Sequence, residues 1–342
     1  MTKTLNVALL GYGMAGKVFH APLIAATPGL TLKTVVTSRT DQVAADHPGA
    51  SVVPDIATAL ADSAIDLVVV ATPDAVHAEH GRAALAAGKA VLIDKPFATS
   101  LDDAKALAEQ ASHAGLLLSV FHNRRWDSDF LTIQKLIADG ALGEVTQFES
   151  RYDRFRPVVV DQWKEKAGAG TWYGLGPHLV DQALQLFGLP TAVYADFAVQ
   201  KDGGEAVDYC HVLLRYPRLR VILHACQLAP VNDLRFVVHG TGGSFVKHGL
   251  DPQEAALAAG GKPGGEGWGV DPRPGVLTRV EGGSDFTSLP GDYLAFYAAL
   301  RDALNGAGPS PSNPADALAT MTVMDLAMRS AQERRELLTS WP

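Results

Sequence analysis

The chain has 342 residues, of which 47% are hydrophobic and 19% charged, and its formal net charge is −8. This composition is typical of a globular protein with two domains, each large enough for its own core. The acidic balance argues against nucleic acid or an anionic membrane as a partner, and no apolar run approaches the ~20 residues of a membrane span. The N-terminus leads directly into a first strand, so we expect no signal peptide. The two cysteines, Cys210 and Cys226, lie in apolar runs and favour a reduced, cytoplasmic protein.

The first motif lies between an apolar run at 5–10, which predicts a buried strand, and a predicted helix over 17–27; it reads Gly11-Tyr12-Gly13-Met14-Ala15-Gly16. Gly-x-Gly-x-x-Gly in this context is the fingerprint of a dinucleotide site. Gly11 permits the tight turn, Gly13 lets the backbone approach the pyrophosphate, and Gly16 lets the helix pack close to the strand. The phosphates would then lie at the helix N-terminus, where unpaired N–H groups favour negative charge. The alternative is a glycine-rich turn without a ligand.

The second predicted strand covers 31–37 and ends in Ser38 and Arg39. An NAD enzyme usually carries an acidic residue at this point, which binds the ribose 2′-hydroxyl. An arginine here accommodates a 2′-phosphate instead. The sequence therefore predicts NADP(H), with NAD(H) less favoured, and the alternative is that Arg39 points to solvent.

Strand-like and helix-like segments alternate over the first 122 residues. A β-branched apolar run at 66–71 is typical of a strand buried on both faces of a parallel sheet. Other strands are predicted at 90–93 and 116–121, and other helices at 76–87 and 101–114, the last between Ser100 as N-cap and Gly115 as its stop. This βαβ order predicts an α/β fold with a dinucleotide-binding Rossmann domain over 1–122, built on a doubly wound parallel sheet.

The pattern changes in the second predicted domain, 123–342. Strand-like runs follow one another without long helices between them, at 145–152, 192–200, 209–216, 218–227 and 235–239. Such a succession predicts an α+β domain on a mostly antiparallel sheet. Its helices are predicted at 130–138, 177–187, 293–304 and 314–336. Residues 260–290 are rich in glycine and proline and lack periodicity, so they predict a long surface loop or arm.

Ligands of doubly wound sheets bind outside the carboxyl ends of the strands, and Lys95 follows the strand at 90–93. Pro96 lacks an N–H and restricts the preceding residues toward extended geometry, which helps to hold the lysine at the sheet edge. A lysine there can donate to a substrate hydroxyl or carbonyl and stabilise a developing alkoxide. The alternative is an ordinary surface lysine.

A second candidate for chemistry is His178, which follows Pro177. Proline suits the first turn of a helix, so His178 is expected at a helix N-terminus. The helix dipole there would lower the pKa of the imidazole and favour its neutral form, which can act as a general base. Asp181, one helical turn later, could orient the ring. A core or capping histidine is the alternative.

Residues 151–157 mix charges and aromatics after a strand, and both a solvated edge and a polyol-binding lip fit this composition. Trp163, Trp172 and Tyr173 would form a flat apolar wall for a sugar ring, or else belong to the core. No metal is predicted, because the histidines are scattered without carboxylates or thiols at ligand spacing, as at His20, His77, His80 and His122.

Four motifs occur together in this chain: Gly11-x-Gly13-x-x-Gly16, Thr72-Pro73, Asp94-Lys95-Pro96 and Gly176-Pro177-His178. On these motifs the chain resembles, over nearly its whole length, the glucose–fructose oxidoreductase / inositol dehydrogenase / MocA (Gfo/Idh/MocA) family. It looks closest to the branch of NADP-dependent scyllo-inositol 2-dehydrogenases. That closer resemblance rests on the stretches 121–130, 153–157, 239–245 and 249–254.

The resemblance implies hydride transfer between NAD(P) and a sugar or cyclitol, in a homodimer or homotetramer built by the sheet of the second domain. The family's motif lysine corresponds to Lys95, usually preceded by Glu where this chain has Asp94, and the family's base histidine corresponds to His178. The expected cofactor-binding residues are Gly11, Gly13, Met14, Ala15, Ser38, Arg39, Thr72, Pro73, His77, Asp94, Lys95, Asn123 and Arg124. The expected substrate-binding residues are Lys95, His122, Asp153, Arg156, Trp163, Tyr173 and His178.

One position departs from the family pattern, which usually carries an aspartate four residues before the histidine. This chain has Gly174 there. Glycine cannot accept a hydroxyl proton or stabilise an imidazolium, and loss of a polar group that acts in the transition state costs about 10²–10⁴ in rate. Either Lys95 and His178 suffice, with Asp153 or Asp181 compensating, or the enzyme has an altered substrate, or its activity is damaged.

Two other classes of function stay open. A catalytically impaired nucleotide-binding sensor is favoured by Gly174 and disfavoured by the retention of Lys95 and His178. Redox-assisted hydrolysis with a retained cofactor is a family-level alternative, against which Ser38 and Arg39 argue.

Overall fold

The computed structural model describes residues 3–160 and 170–341. In that part of the chain the α-helices, α1 to α10 in order, are Ala21–Ala26, Thr40–Asp46, Ile56–Ala61, His77–Ala86, Leu101–Ala114, Ser128–Ala138, Thr171–Phe187, Gln253–Ala258, Tyr293–Leu304 and Pro314–Glu333. The β-strands, β1 to β15, are Leu5–Leu10, Leu30–Val36, Ser51–Val53, Leu67–Val70, Ala90–Ile93, Leu118–Val120, Val145–Arg151, Ala192–Ala198, Tyr209–Arg215, Arg220–Cys226, Leu234–Gly240, Ser244–His248, Gly275–Arg279, Gly282–Phe286 and Leu337–Leu338.

The chain forms two compact units that are not contiguous in sequence. The first runs to Trp126 and also includes Pro252–Trp268 and Asp292–Leu318, and the second comprises Asp127–Asp251, Gly269–Gly291 and the chain from Ala319 onward. The contiguous domains expected at 1–122 and 123–342 differ from this division. The reason is that α9 buries its apolar stripe in the core of the first unit, and a helical stripe read from sequence does not say which sheet it packs against.

The sheet of the first unit has six strands in the order β3-β2-β1-β4-β5-β6, and every neighbouring pair is parallel. This confirms the predicted doubly wound sheet. The residues of β4 are fully buried, as its continuous β-branched run predicts. The predicted limits of α5 are also confirmed, because Ser100 Oγ accepts a hydrogen bond from the Asp103 N–H at 3.1 Å and Gly115 adopts a left-handed φ of 62°.

The second unit contains a nine-stranded sheet in the order β14-β13-β12-β11-β7-β10-β9-β8-β15. Only β7 and β10 pair in parallel among the strand pairs described, so the predicted mostly antiparallel sheet is confirmed. Alternate residues of these strands, among them Phe148 and Val221, pack with α7 and α10 in one apolar cluster. The side chains between them point to the opposite face of the sheet.

The prediction of a loop over 260–290 is wrong for its second half. There β13 and β14 form an antiparallel hairpin that extends the sheet next to β12. The hairpin contains Gly275, Gly282 and Gly283, and glycine is depleted in strands, so composition concealed it. Backbone pairing to an existing sheet edge stabilises strands whose side chains favour a loop.

The two cysteines lie on adjacent strands but cannot form a disulfide. Cys210 pairs with Ala225 and Cys226 with Tyr209 in the antiparallel ladder, so their side chains point to opposite faces of the sheet. Burial raises the pKa of the Cys210 thiol, whereas Cys226 is half-buried. A separate property concerns the helices of the described residues: none is long and apolar enough to cross a membrane.

Candidate active site

The glycine loop follows β1 near the centre of the parallel sheet, and its three glycines meet different surroundings. Gly11 has a φ of 98°, and a Cβ built on it would lie 2.5 Å from the backbone oxygen of Ala71. A Cβ on Gly16 would collide with the backbone oxygen of Gly11. A Cβ on Gly13, by contrast, meets no heavy atom of the described chain within 4 Å. The outer glycines are therefore required by the protein's own backbone, and the middle one leaves space for a ligand.

Arg39 lies beside this loop. Its Nη1 donates to the backbone carbonyl oxygen of Tyr12 at 3.0 Å, and both Ser38 and Arg39 are exposed where β2 ends. The Tyr12 side chain is anchored on the protein side, because its hydroxyl donates to Asp46 Oδ2 at 2.9 Å. Lys17 Nζ reaches the same Asp46 oxygen at 3.2 Å. An exposed guanidinium is thus held against the glycine loop.

The other predicted cofactor residues of the strand ends lie at the same edge. Strands β2, β1, β4 and β5 are neighbours, so the residues that follow them converge there: Gly11, Ser38, Thr72, Pro73, Asp94 and Lys95. Asp94 and Lys95 are half-buried, and the Lys95–Pro96 peptide bond is cis. Met14 is 62% exposed and Ala15 half-buried on the glycine loop.

His77 joins two of these strand ends. Its Nδ1 lies 2.8 Å from the Pro96 carbonyl oxygen and its Nε2 lies 2.9 Å from the Thr72 carbonyl oxygen. Both ring nitrogens of this buried histidine are thereby engaged by backbone. His77 holds the segments on which Thr72 and Lys95 stand, and its direct contact with a cofactor stays a prediction.

The residues that follow β6 make contacts inside the first unit. His122 is buried, and its Nδ1 lies 3.1 Å from Ser312 Oγ. Asn123 is buried, and Arg124 forms an ion pair with Glu254. His122 and Arg124 link the strand end to the segments 292–318 and 252–268. The predicted roles of His122, Asn123 and Arg124 toward cofactor and substrate stay predictions.

The position of His178 differs from the expectation. Helix α7 begins at Thr171, so Pro177 lies inside the helix and His178 is about two turns from its N-terminus. The argument from the helix dipole is therefore wrong, because that effect is confined to the first turn. Gly170, with a φ of 102°, precedes the helix. Pro177 concealed the start of α7, since proline is far commoner in the first turn than in a helix interior.

His178 is buried, and it shares a helix face with two positions of interest. Gly174 precedes it by four residues and Asp181 follows it by three, the spacings that place side chains on one face. A Cβ built on Gly174 meets no heavy atom within 4 Å among the described residues, whereas one on Gly176 would lie 2.9 Å from the Trp172 indole. The helix thus has room for a side chain at position 174.

A polar network surrounds the start of α7, and no motif in the sequence indicates it. Gln227 Nε2 donates to Thr171 Oγ1 at 2.6 Å, and Lys201 Nζ donates to Gln227 Oε1 at 2.8 Å. The Asp208 carboxylate accepts from the backbone N–H groups of Gln200 and Lys201 at 2.8 and 2.9 Å. These bonds position the helix that carries His178.

The predicted substrate residues of the second unit differ in how far they are buried and in what they contact. Asp153 is almost buried, with Arg151 Nη1 at 3.2 Å and His224 Nε2 at 3.3 Å from its carboxylate. Arg156 is exposed, and Tyr173 is half-buried with its pKa raised by burial and then by the charge of Asp325. Trp163 lies outside the described residues.

Sequence reasoning also missed a buried pair of the first unit, His20 and Tyr297. His20, counted among the scattered histidines, lies with its Nε2 3.7 Å from Asp94 Oδ1. Its Nδ1 is 2.6 Å from the hydroxyl of Tyr297. No local spacing could have found this pair, because 277 positions separate the two residues.

Two protein-family models match the chain. A model described as oxidoreductase family, NAD-binding Rossmann fold, matches residues 5–122. A model described as oxidoreductase family, C-terminal alpha/beta domain, matches residues 134–338. Together these matches confirm the family resemblance seen in the motifs.

Individual proteins are similar over their whole lengths. The oxidoreductase YdgJ of Escherichia coli (strain K12) is 49% identical over 98% of this chain and 99% of its own. The scyllo-inositol 2-dehydrogenase (NADP(+)) IolW of Bacillus subtilis (strain 168) is 40% identical over 98% of this chain and 96% of its own. The solved structure of YPO2259 from Yersinia pestis has a TM-score of 0.97 at 47% identity and covers 100% of this chain and 99% of its own.

Proposed function

The chain belongs to the Gfo/Idh/MocA oxidoreductase family, and we propose that it transfers hydride between NADP(H) and the hydroxyl-bearing or carbonyl carbon of a cyclitol or sugar. The observation that carries the proposal is the open space above Gly13 at the sheet edge where Lys95 also stands. A dinucleotide fits that space because its pyrophosphate needs close approach to a backbone without a Cβ.

NADP(H) is proposed over NAD(H) because of Arg39. No carboxylate stands at the three positions directly after β2, 37–39, and the exposed guanidinium of Arg39 is held at the loop by its bond to Tyr12. A guanidinium pairs well with a phosphate group, whereas a ribose 2′-hydroxyl is best bound by a carboxylate. The name of the relative IolW, which includes both NADP(+) and scyllo-inositol, supports this cofactor and a cyclitol substrate.

The bound nicotinamide would supply the hydride acceptor for oxidation and the hydride donor for reduction. We assign to Lys95 the task of donating a hydrogen bond to the substrate oxygen, which stabilises the developing alkoxide. We assign to His178 the removal of the hydroxyl proton, which requires its neutral imidazole. In reduction the same groups act in reverse, with His178 returning the proton.

The proposal is tested by absorbance at the reduced-nicotinamide band, with NADP⁺ or NAD⁺ and a panel of inositols and aldoses. We expect turnover with NADP⁺ on a cyclitol. The Lys95→Met variant should lose turnover and retain NADPH binding. Lys33→Met is the matched control, since Lys33 is a partly exposed lysine of β2 that pairs with Asp62. Undiminished turnover in Lys95→Met would refute the catalytic assignment.

Two further parts of the proposal concern the protein's surroundings. We propose a homodimer or homotetramer, because half-buried apolar side chains line the sheet face opposite α7, namely Leu213, Ile222, Val237 and Val246. Light scattering coupled to size-exclusion chromatography tests this. We also propose a reducing, cytoplasmic location, which suits two thiols that face away from each other.

A further inference from the structure

His20 is a buried histidine with a defined partner on each side of its ring. Its side chain and that of Tyr297 are both 0% exposed, and Nδ1 lies 2.6 Å from the tyrosine hydroxyl. Its Nε2 faces Asp94 Oδ1 at 3.7 Å. Asp94 directly precedes Lys95 in the chain. A line of polar groups thus runs from the core of the first unit to the residue beside the proposed catalytic lysine.

The positions of the hydrogen atoms on the His20 ring follow from the two groups beside it, the Tyr297 hydroxyl and the Asp94 carboxylate. Burial and then the negative charge of Asp94 raise the pKa of Tyr297 well above its ordinary value, so the tyrosine keeps its proton and donates it to Nδ1. The neutral imidazole carries its hydrogen on the other nitrogen. Nε2 therefore carries its hydrogen on the side of the Asp94 carboxylate, at a separation of 3.7 Å that is longer than a direct hydrogen bond.

At its Tyr297 end this line of groups does not lead to solvent. The ring of His20 lies 4.5 Å from that of Phe121, and the ring of Phe121 lies 4.9 Å from that of Phe296. These aromatic residues belong to the apolar cluster of the first unit. The line therefore ends in the core at Tyr297 and meets water at Asp94, where it holds the charge of the carboxylate in place.

The charge that it fixes is that of Asp94, whose side chain is only 15% exposed. Burial raises the pKa of this carboxyl, but the neighbouring His20 side chain and the charge of Lys95 lower it below its ordinary value. Asp94 therefore stays ionised. A fixed negative charge on the preceding residue attracts the Lys95 ammonium.

We propose that His20 and Tyr297 are positioning residues that hold the Asp94 carboxylate, and through it the Lys95 ammonium, at the carboxyl edge of the parallel sheet. The catalytic consequence rests on the proposed function of Lys95. The arrangement of protons around His20 does not, and it can be measured without cofactor or substrate.

The first arm of the test is nitrogen NMR of the histidine rings in the full chain without ligand at pH 8, with His20→Gln used to assign the His20 signals. We expect a bare Nδ1 that accepts a hydrogen bond and a protonated Nε2. Tyr297→Phe should move the Nδ1 signal and Asp94→Asn the Nε2 signal. A protonated Nδ1, or a ring indifferent to both substitutions, would overturn the proposal even if no substrate is ever turned over.

The second arm uses kinetics of the active enzyme. A small displacement of a catalytic group costs up to about 100-fold, so we expect Tyr297→Phe to lower kcat by about 10- to 100-fold, with KM and the NADPH Kd within about twofold of the parent. Tyr216→Phe is the matched control, since its buried hydroxyl donates to the Gly188 carbonyl oxygen in the second unit. An equal kcat in both tyrosine variants would contradict the positioning role.

Two readouts separate positioning from mere loss of stability. The amide nitrogen of Gln reaches the place of Nε2 and that of Asn reaches the place of Nδ1, so His20→Gln should retain more kcat than His20→Asn. The acid limb of the kcat profile should move to higher pH in Tyr297→Phe. Without the tyrosine hydroxyl, His20 is held less firmly and lowers the pKa of Asp94 less. An unmoved limb, or equal kcat in the two His20 variants, would overturn the proposal.

Discussion

The guanidinium of Arg39 donates from Nη1 to the Tyr12 carbonyl oxygen at 3.0 Å, which places the charge against the glycine loop. A charged hydrogen bond contributes about 1.5–3 kcal/mol, so Arg39→Ala should weaken NADPH binding by about 10- to 100-fold. NADH binding should change by less than about twofold, because NADH lacks the 2′-phosphate. Titration of nicotinamide fluorescence measures both constants. Arg82→Ala, which removes an arginine paired with Asp103, is the control. A parallel loss of both nucleotides would contradict the 2′-phosphate assignment.

Substitution of Gly13 and of Gly11 should affect different properties, cofactor binding in the first case and stability in the second. The free energy of unfolding of Gly13→Ala should lie within about 1 kcal/mol of the parent value, because the added Cβ meets open space. The NADPH Kd of this variant should nevertheless rise at least about tenfold. Gly11→Ala should lose about 1–3 kcal/mol of unfolding free energy, since its φ is 98° and its Cβ meets Ala71. Urea unfolding and NADPH titration check both. Unchanged NADPH binding in Gly13→Ala would mean that the space above Gly13 does not hold the pyrophosphate.

Gly174 has room for a side chain on the helix face of His178. An aspartate one turn before the histidine can stabilise the imidazolium that forms in oxidation, so Gly174→Asp should fold and raise kcat/KM about tenfold or more. Gly174→Asn has nearly the same shape without the charge and is the control. If the two variants have the same kcat/KM, the family's aspartate is dispensable here. The reading as an impaired sensor predicts turnover in Gly174→Asp alone.

The two thiols should react at different rates with a maleimide. Cys210 is buried with a raised pKa and should stay unmodified in the folded protein, because the thiolate is the nucleophile. Cys226 is half-buried on the opposite sheet face and should be the thiol that reacts. Intact mass should therefore show one adduct in native buffer and two in urea. Two adducts in native buffer would contradict the orientation of the two strands.

His224 should make stability depend on pH. Burial lowers its pKa, the charges of Arg151 and His211 act in the same direction, and Asp153 and Glu149 oppose them. The unfolded chain then binds the proton more readily than the folded one, so stability is full above the unfolded value of about 6.5 and falls as the pH drops below it. A tenfold difference in proton affinity corresponds to about 1.4 kcal/mol.

We therefore expect the midpoint urea concentration of unfolding to decrease when the pH is lowered from 7.5 to 5.5. The decrease should be smaller in His224→Gln. His248→Gln is the control, because the side chain of His248 is 51% exposed. An identical pH response of the parent and both variants would show that His224 titrates alike in the folded and unfolded states.

Local chemistry was enough for the elements in which neighbouring residues carry the whole signal. The glycine loop, the buried run of β4 and the limits of α5 depend on glycine dihedrals, β-branched side chains and a serine cap. The same holds for the parallel order of the first sheet, because βαβ alternation permits few topologies. Lys95 was found for this reason as well, since its place at a strand end follows from the strand itself.

Tertiary contacts decided what local signals could not. Pro177 led to a predicted helix start six residues after the observed one at Thr171. The hairpin of β13 and β14 is stabilised by backbone pairing to the edge of the sheet, although its glycine-rich sequence favours a loop. His20 and Tyr297 lie 2.6 Å apart although 277 positions separate them. The contact of His20 with Tyr297 arises only when the helix at 293–304 packs into the first unit. The start of α7 and the pairing of β13 depend instead on contacts within the second unit, with Gln227 and with β12. No short stretch of sequence contains the two partners of any of these contacts.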